Sequence, residues 1–153
     1  MKTLQKLIDY PPVWLAAFLA IAWWQAKNFR LGLSLNGAWE PLVGGLLVGA
    51  GLLLMFLAVI EFRRHQTTFV PRSTPTSFIQ SGIYKRSRNP IYLGDVLVLT
   101  GMILYWDAVL SLVLIPIFIW IIEKRFIEGE EKTLRRMYHA QFAAYERRVR
   151  RWF

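Results

Sequence analysis

Residues 41–60 read PLVGGLLVGAGLLLMFLAVI, twenty residues without a charge. At 1.5 Å per residue a helix of this length is roughly 30 Å long, the thickness of a bilayer's hydrocarbon core. Glu40 and Pro41 suit its start, and Glu61, Arg63 and Arg64 mark its exit. On the N-terminal side, residues 12–26 are also uncharged, with Trp14 at one end and Trp23–Trp24 at the other, as interfacial aromatic belts place them. A cleaved signal peptide is the competing reading of that segment. No small-residue cleavage site follows it, and the Trp pair stands in its place.

On the C-terminal side, residues 91–122 carry only two charges, Asp95 and Asp107. One straight helix over this stretch would be about 48 Å long, too much for one perpendicular crossing. Trp106–Asp107 therefore reads as the tip of a helical hairpin with legs near 91–105 and 108–122. These are a third and a fourth span, both short enough to need tilt or local thinning, or to form a re-entrant hairpin. The expected fold is an all-α integral membrane protein with about four transmembrane helices. A single domain, 1–153, is completed by a cytoplasmic segment, 123–153.

Charge supports this layout. The chain has 153 residues, 19 Lys and Arg against 10 Asp and Glu, and a net charge of +9. With both termini cytoplasmic, 17 of those 19 cations fall on the cytoplasmic side, in the N-terminal arm, the 63–89 connection and the tail. The expected protein is multi-pass, in the inner membrane if bacterial. Its basicity then reflects topology and contact with anionic headgroups rather than nucleic acid. A composition 55% hydrophobic with no Cys excludes a disordered chain, a disulfide scaffold and a cysteine-ligated metal centre. His65 and His139 are far apart in sequence, and no metal site is expected; His65 reads as a local partner of Glu61. Gly45-x-x-x-Gly49 is a small-residue spacing that suits close helix packing inside the bundle.

Two segments carry the candidate chemistry. Ser81-Gly-Ile-Tyr-Lys-Arg-Ser-Arg-Asn-Pro-Ile-Tyr-Leu-Gly94 places a turn at Gly82, a helix start at Pro90, and Arg88 and Asn89 just before it. Backbone N–H groups and a guanidinium at a helix N-terminus form an anion site, or else a plain capped, basic junction. Asp95, early in that helix, is tolerated there by the helix dipole. The second segment begins at Glu128-Gly-Glu-Glu. It continues as a stripe of Leu134, Met137, Tyr138, Phe142, Tyr145 and Val149, an amphipathic helix lying on the headgroup surface or over the bundle mouth. Glu131, four residues before Arg135, suits an exposed helical pair.

Gly82-Ile-Tyr84-x-x-Ser87-Arg88-Asn89-Pro90-x-Tyr92-x-Gly94, an apolar hairpin, then Glu130-Glu131-x-x-Leu134 and Tyr145-x-x-x-Val149-Arg-Arg-Trp152 resembles one group. It is the membrane-embedded methyltransferases that include isoprenylcysteine carboxyl methyltransferases and phospholipid N-methyltransferases. The resemblance covers roughly the C-terminal half. It implies S-adenosylmethionine as cofactor and a lipophilic acceptor, a prenyl-cysteine carboxylate or a phospholipid amine. By matching position it implies a cofactor pocket lined by Tyr84, Asn89, Pro90, Ile91 and Tyr92. Phe78 and Ile79 would lie in a strand-like approach, and Glu130 would be a direct contact. Arg88 is a candidate for cofactor binding and, with Arg125, for positioning. This sequence has Asn89 where many members have His, Tyr138-His139 where Phe-Gly is usual, and Phe142 where Tyr is common. An NADPH-dependent membrane reductase of related architecture and a four-helix transporter or scaffold are the alternatives.

Overall fold

The computed structural model describes residues 9–29, 31–35, 37–66 and 77–153. Within them the chain is helical, with no strand. The helices are α1 (Pro11–Asn28), α2 (Glu40–Arg64), α3 (Pro90–Tyr105), α4 (Leu114–Ile122) and α5 (Glu128–Arg148). Proline in the first turn starts α1, α2 and α3, where its missing N–H leaves no intrahelical bond unmade. Lys2, Lys6 and Arg30 of the charge argument, and most of the polar 66–76 loop, lie outside the described residues.

The expected segments 12–26, 41–60 and 91–105 coincide with α1, α2 and α3. The segment 108–122 is corrected at both ends. It opens as a tight 3-10 turn, Val109–Val113, and becomes α-helical only at Leu114, with Pro116 in the first turn. It does not stop at Ile122, because a π turn, Glu123–Ile127, carries it into α5 without a break. Proline explains the late start: it is accommodated in a first turn and disrupts a helix interior. The hairpin tip is as expected. α3 ends at Tyr105, and Asp107 adopts a left-handed φ of 51°. The Asp107 carboxylate accepts the Ser34 hydroxyl, and the Leu35 N–H at 3.1 Å, so the α1–α2 loop and the tip share one end of the bundle.

Among the described helices α2 alone is long and apolar enough to cross a membrane, with a mean hydropathy of 2.6 in its most apolar window. Only 17% of that window is buried in the protein, and Leu42, Leu46, Leu53 and Phe56 are all more than half exposed. A water-soluble core helix buries such residues; this surface suits hydrocarbon.

Glycine brings α2 against α3. A Cβ on Gly44 would stand 2.6 Å from the Gly101 carbonyl oxygen, and one on Gly101 2.5 Å from that of Gly44. One turn pair away, Gly51 and Gly94 repeat the arrangement at 2.6 and 2.8 Å. Two glycines seven residues apart on each helix thus form a reciprocal backbone contact, which is denser than side chains permit. Gly45 and Gly49 have open space instead. The expectation of intramolecular glycine packing is right for the helix and wrong for the pair. Beside this seam, Phe18, Ala22 and Ala26 of α1 pack with Leu99, Ile103, Phe118 and Ile122. Within that core the Ser111 hydroxyl donates to the Gln25 side-chain oxygen at 2.9 Å.

The C-terminal helix is not continuous. His139 has φ 32° and ψ −107°, and the second half of α5 turns back so that Arg135 reaches Glu146 at 2.5 Å. Along a straight helix those residues would be about 16 Å apart. The apolar stripe survives the break, with Phe142, Tyr145 and Val149 packing on Phe78, Leu134 and Tyr138. Met137 is left out of it, 42% exposed.

Alanine at Gly51 or Gly94 should lower stability by about 1–3 kcal/mol, the range for overpacking a close contact. Alanine at Gly45 or Gly49 should be neutral or stabilising by up to about 1 kcal/mol, from helix propensity alone. Unfolding in detergent micelles followed by circular dichroism separates the two pairs; equal behaviour would refute the seam.

Candidate functional site

The start of α3, the turn before it and the beginning of α5 converge at one end of the bundle. Pro90 sets the first turn of α3, and Tyr92, two residues on, points inward with 2% of its surface exposed. Its hydroxyl donates to Glu130 at 2.7 Å. Burial pushes the Glu130 carboxyl up to about 7; the Tyr92 hydrogen bond opposes this shift and neighbouring Glu131 adds to it. A carboxyl there changes charge near neutrality, which is frequent at functional sites. Tyr84 lies in the 3-10 turn Gly82–Lys85. Its carbonyl accepts the Tyr145 hydroxyl at 2.7 Å, and its ring meets Phe62 edge-on at 5.9 Å. Burial raises the Tyr84 phenol well above its ordinary value, with Tyr145, Glu130 and Glu61 adding to the shift.

The chain end closes over the same place. After Val149, whose backbone is extended, the Arg150 carbonyl accepts the Arg88 N–H at 3.0 Å. The Arg151 carbonyl accepts the Asn89 side-chain amide at 3.2 Å and the buried Ser87 hydroxyl at 3.4 Å. Asn89, just before α3, makes no side-chain cap and holds the tail instead. The Trp152 indole donates to Glu123 at 2.8 Å, an acid that the π turn carries beneath the tail.

Glu131 corrects an expectation. It is not an exposed partner of Arg135 but is 4% exposed. Arg151 contacts it through two nitrogens at 3.1 and 2.8 Å, Arg88 at 3.3 Å, and Arg135 only at 3.8 Å. The break at His139 is the reason, since it brings Glu146 to Arg135 and returns the tail across α5. Arg88 is itself buried between Glu131 and Glu146, 3.0 Å from the latter. Its Nε and Nη1 have no aligned hydrogen-bond acceptor among the described residues.

The residues singled out in the sequence thus fall into groups. Tyr92, Glu130 and Tyr84 come together, with Pro90 and Ile91 at the helix start beside them. Arg88 and Asn89 hold the tail. Phe78 and Ile79 approach in irregular rather than strand conformation, with Phe78 stacked on Tyr138 at 5.0 Å. Arg125 lies elsewhere, over the Trp14 ring at 5.5 Å and 3.5 Å from Asp9 of the N-terminal approach. Arg151, Glu123 and Ser87 were missed as partners; Arg151 lies in the Val149-Arg-Arg-Trp152 run and Ser87 in the Gly82–Gly94 motif, while Glu123 carried no signal in the sequence.

Glu131→Gln should destabilise the protein strongly, by about 3–5 kcal/mol, because it removes the buried partner shared by Arg88 and Arg151. Glu130→Gln should cost far less, since Glu130 has no cationic partner among its contacts. Thermal unfolding and limited proteolysis at the C-terminal end check this order; the reverse would remove Glu131 from the structural role.

No curated protein and no solved structure matches the chain significantly. A family model, phospholipid methyltransferase, matches residues 39–141. That stretch runs from the start of α2, through the glycine seam and Tyr92, past Glu130 and Glu131 to the break in α5. With well over half of its length inside the match, the chain belongs to the phospholipid methyltransferase family, among the membrane-embedded methyltransferases.

Proposed function

We propose that the protein transfers a methyl group from S-adenosylmethionine to a lipophilic acceptor lying in the bilayer, a lipid amine or a prenyl-type carboxylate. The single observation that carries this reading is the inward-facing Tyr92–Glu130 pair at 2.7 Å beneath the returning tail. S-adenosylmethionine, when bound, supplies an electrophilic methyl group. The chain's own task is then to bind, orient and exclude water. Glu130 offers a carboxylate to an amino group or ribose hydroxyls, and Tyr84 and Tyr92 offer aromatic faces. The Arg88 Nε, which has no hydrogen-bond acceptor among the described residues, is a donor for a carboxylate. Family membership puts this reading ahead of a reductase or a transporter.

The membrane arrangement belongs to the same proposal. Four apolar segments, α1, α2, α3 and the 109–122 leg, cross or enter the bilayer, with both termini and the site on the cytoplasmic side. The contact of Ser34 and Leu35 with Asp107 supports it, because it joins the two connections assigned to the outer face. The chain has no native Cys. A single Cys at Leu33 should label from outside intact cells, and one at Gln141 only after permeabilisation. Labelling of Gln141 from outside would overturn the assignment.

Glu130 sets a pH dependence. Below about 7 its carboxyl is largely protonated and neutral; above it, ionised. A cationic cofactor binds the ionised form better, so affinity should rise between pH 6 and pH 8 and then level. Glu130→Gln should flatten that rise and weaken binding about tenfold or more, as loss of a charge-assisted hydrogen bond of about 1.5–3 kcal/mol implies. Calorimetry with S-adenosylmethionine on detergent-purified protein measures both. A variant that binds like the parent at every pH would take Glu130 out of the site.

A further inference from the structure

Asp95 puts an acid into an apolar stripe. Tyr92, Asp95, Leu99 and Ile103 are spaced three, four and four residues apart, so they share the face of α3 whose apolar members join the core. Asp95 is 5% exposed, between Tyr92 at 2% and Leu99 at 0%. By helix rise it stands about 4.5 Å farther into the bundle than Tyr92. It is the sixth residue of α3, past the first turn in which the helix dipole favours an acid. It makes no hydrogen bond and no ion pair among the described residues. It is not sealed off, since the unpartnered atoms wholly enclosed among those residues belong to Arg88.

No cation from the neighbouring elements answers it. Helices α1 and α2 carry charge only in their end turns, and α4 carries none. In the π turn, Glu123 is taken by Arg151 and Trp152, Lys124 by Glu128, and Arg125 by Asp9. The titratable groups beside Asp95 are Tyr92 and, through it, Glu130; both acids act electrostatically on the Tyr92 phenol. A buried carboxylate without a partner is costly, and within a membrane helix such an acid marks a path for a proton or a cation. The Tyr92–Glu130 pair thus has a second acid on its inner side.

We propose that Asp95 is a further catalytic residue, the group that takes the proton of an ammonium acceptor before methyl transfer. An ammonium nitrogen has no lone pair until that proton leaves. Its N–H bond breaks, an O–H bond forms on Asp95, and the electron pair stays on nitrogen. The proton passes to solvent as the product leaves, so no other reactant is consumed. An apolar surrounding favours the transfer, because it turns an ion pair into two neutral groups. Glu130, on the outer side of Tyr92, is left to the cofactor. This role rests on the proposed function for its amine acceptor, but the proton step itself needs no cofactor.

Dodecylamine, a single-chain amine, added to the cofactor-free protein in detergent at mildly alkaline pH, tests the proton step by infrared difference spectroscopy. A protonated-carboxyl band should appear in the parent and in Glu130→Gln, and be absent from Asp95→Asn. With S-adenosylmethionine present, Asp95→Asn should methylate the amine about a hundredfold more slowly than the parent at neutral pH, a usual size for a general-base contribution. That deficit should shrink about tenfold per pH unit on the alkaline side, where the amine arrives already deprotonated. Cofactor affinity and thermal unfolding should match the parent, since Asn keeps the shape and no partner is lost. A band that persists in Asp95→Asn, or no band in the parent, would overturn the proposal. So would a deficit that alkaline pH does not repair, which means a structural role only. A parent that shows the band yet methylates no amine would instead overturn the methyl-transfer reading and leave Asp95 as an amine site.

Discussion

The contact on which the rest depends is the backbone-to-backbone approach of α2 and α3 at Gly44–Gly101 and Gly51–Gly94. In hydrocarbon the hydrophobic effect does not drive helices together, so association relies on packing density and on close approach of polar backbone. Four absent side chains supply both. The seam also fixes where α3 begins relative to the end of α2. Tyr92 lies two residues before Gly94, and Glu61 lies ten residues after Gly51. The end of α2 and the start of α3 are therefore set relative to one another by the same seam.

A second constraint acts on the chain end. A carboxylate as buried as Glu131 is unfavourable unless it is paired and hydrogen-bonded. Its partners come from three places: Arg88 before α3, Arg135 on α5, and Arg151 on the tail. The pairing is complete only when the tail has returned, and the return also brings backbone carbonyls to Ser87, Arg88 and Asn89. The return of the tail thus completes the pairing of Glu131.

Much of the fold was legible because it follows from local pattern. Uncharged runs located α1, α2 and α3, prolines marked their starts, and Trp106–Asp107 marked the hairpin tip. The illegible parts are those where two distant segments decide the outcome. Gly45 and Gly49 show the commonest small-residue spacing, yet Gly44 and Gly51 make the contact, because only Gly94 and Gly101 on the other helix choose between them. The break in α5 was hidden by an apolar stripe that persists through it. His139 sits at a positive φ that glycine adopts without strain. Glu131 looked like a helical surface charge because Arg135 is four residues away, while the residue that holds it most closely, Arg151, is twenty away.

Glu130 and Glu131 show how one helical turn can hold two acids of opposite kinds. Adjacent helical residues diverge by about 100°, so they enter different surroundings. Glu131 meets three guanidinium groups, and its charge is answered within the protein. Glu130 meets a phenol, and its carboxyl is raised by burial and by Glu131 itself. Among the described residues the protein thus leaves uncompensated, beside an acid with three guanidinium partners, a carboxyl that a cation would stabilise. A carboxyl kept only for structure would gain from a cation like those around Glu131, and Arg88, Arg135 and Arg151 are all close by. That they turn to the neighbour instead is the strongest physical support for the proposal that Glu130 meets a positively charged ligand.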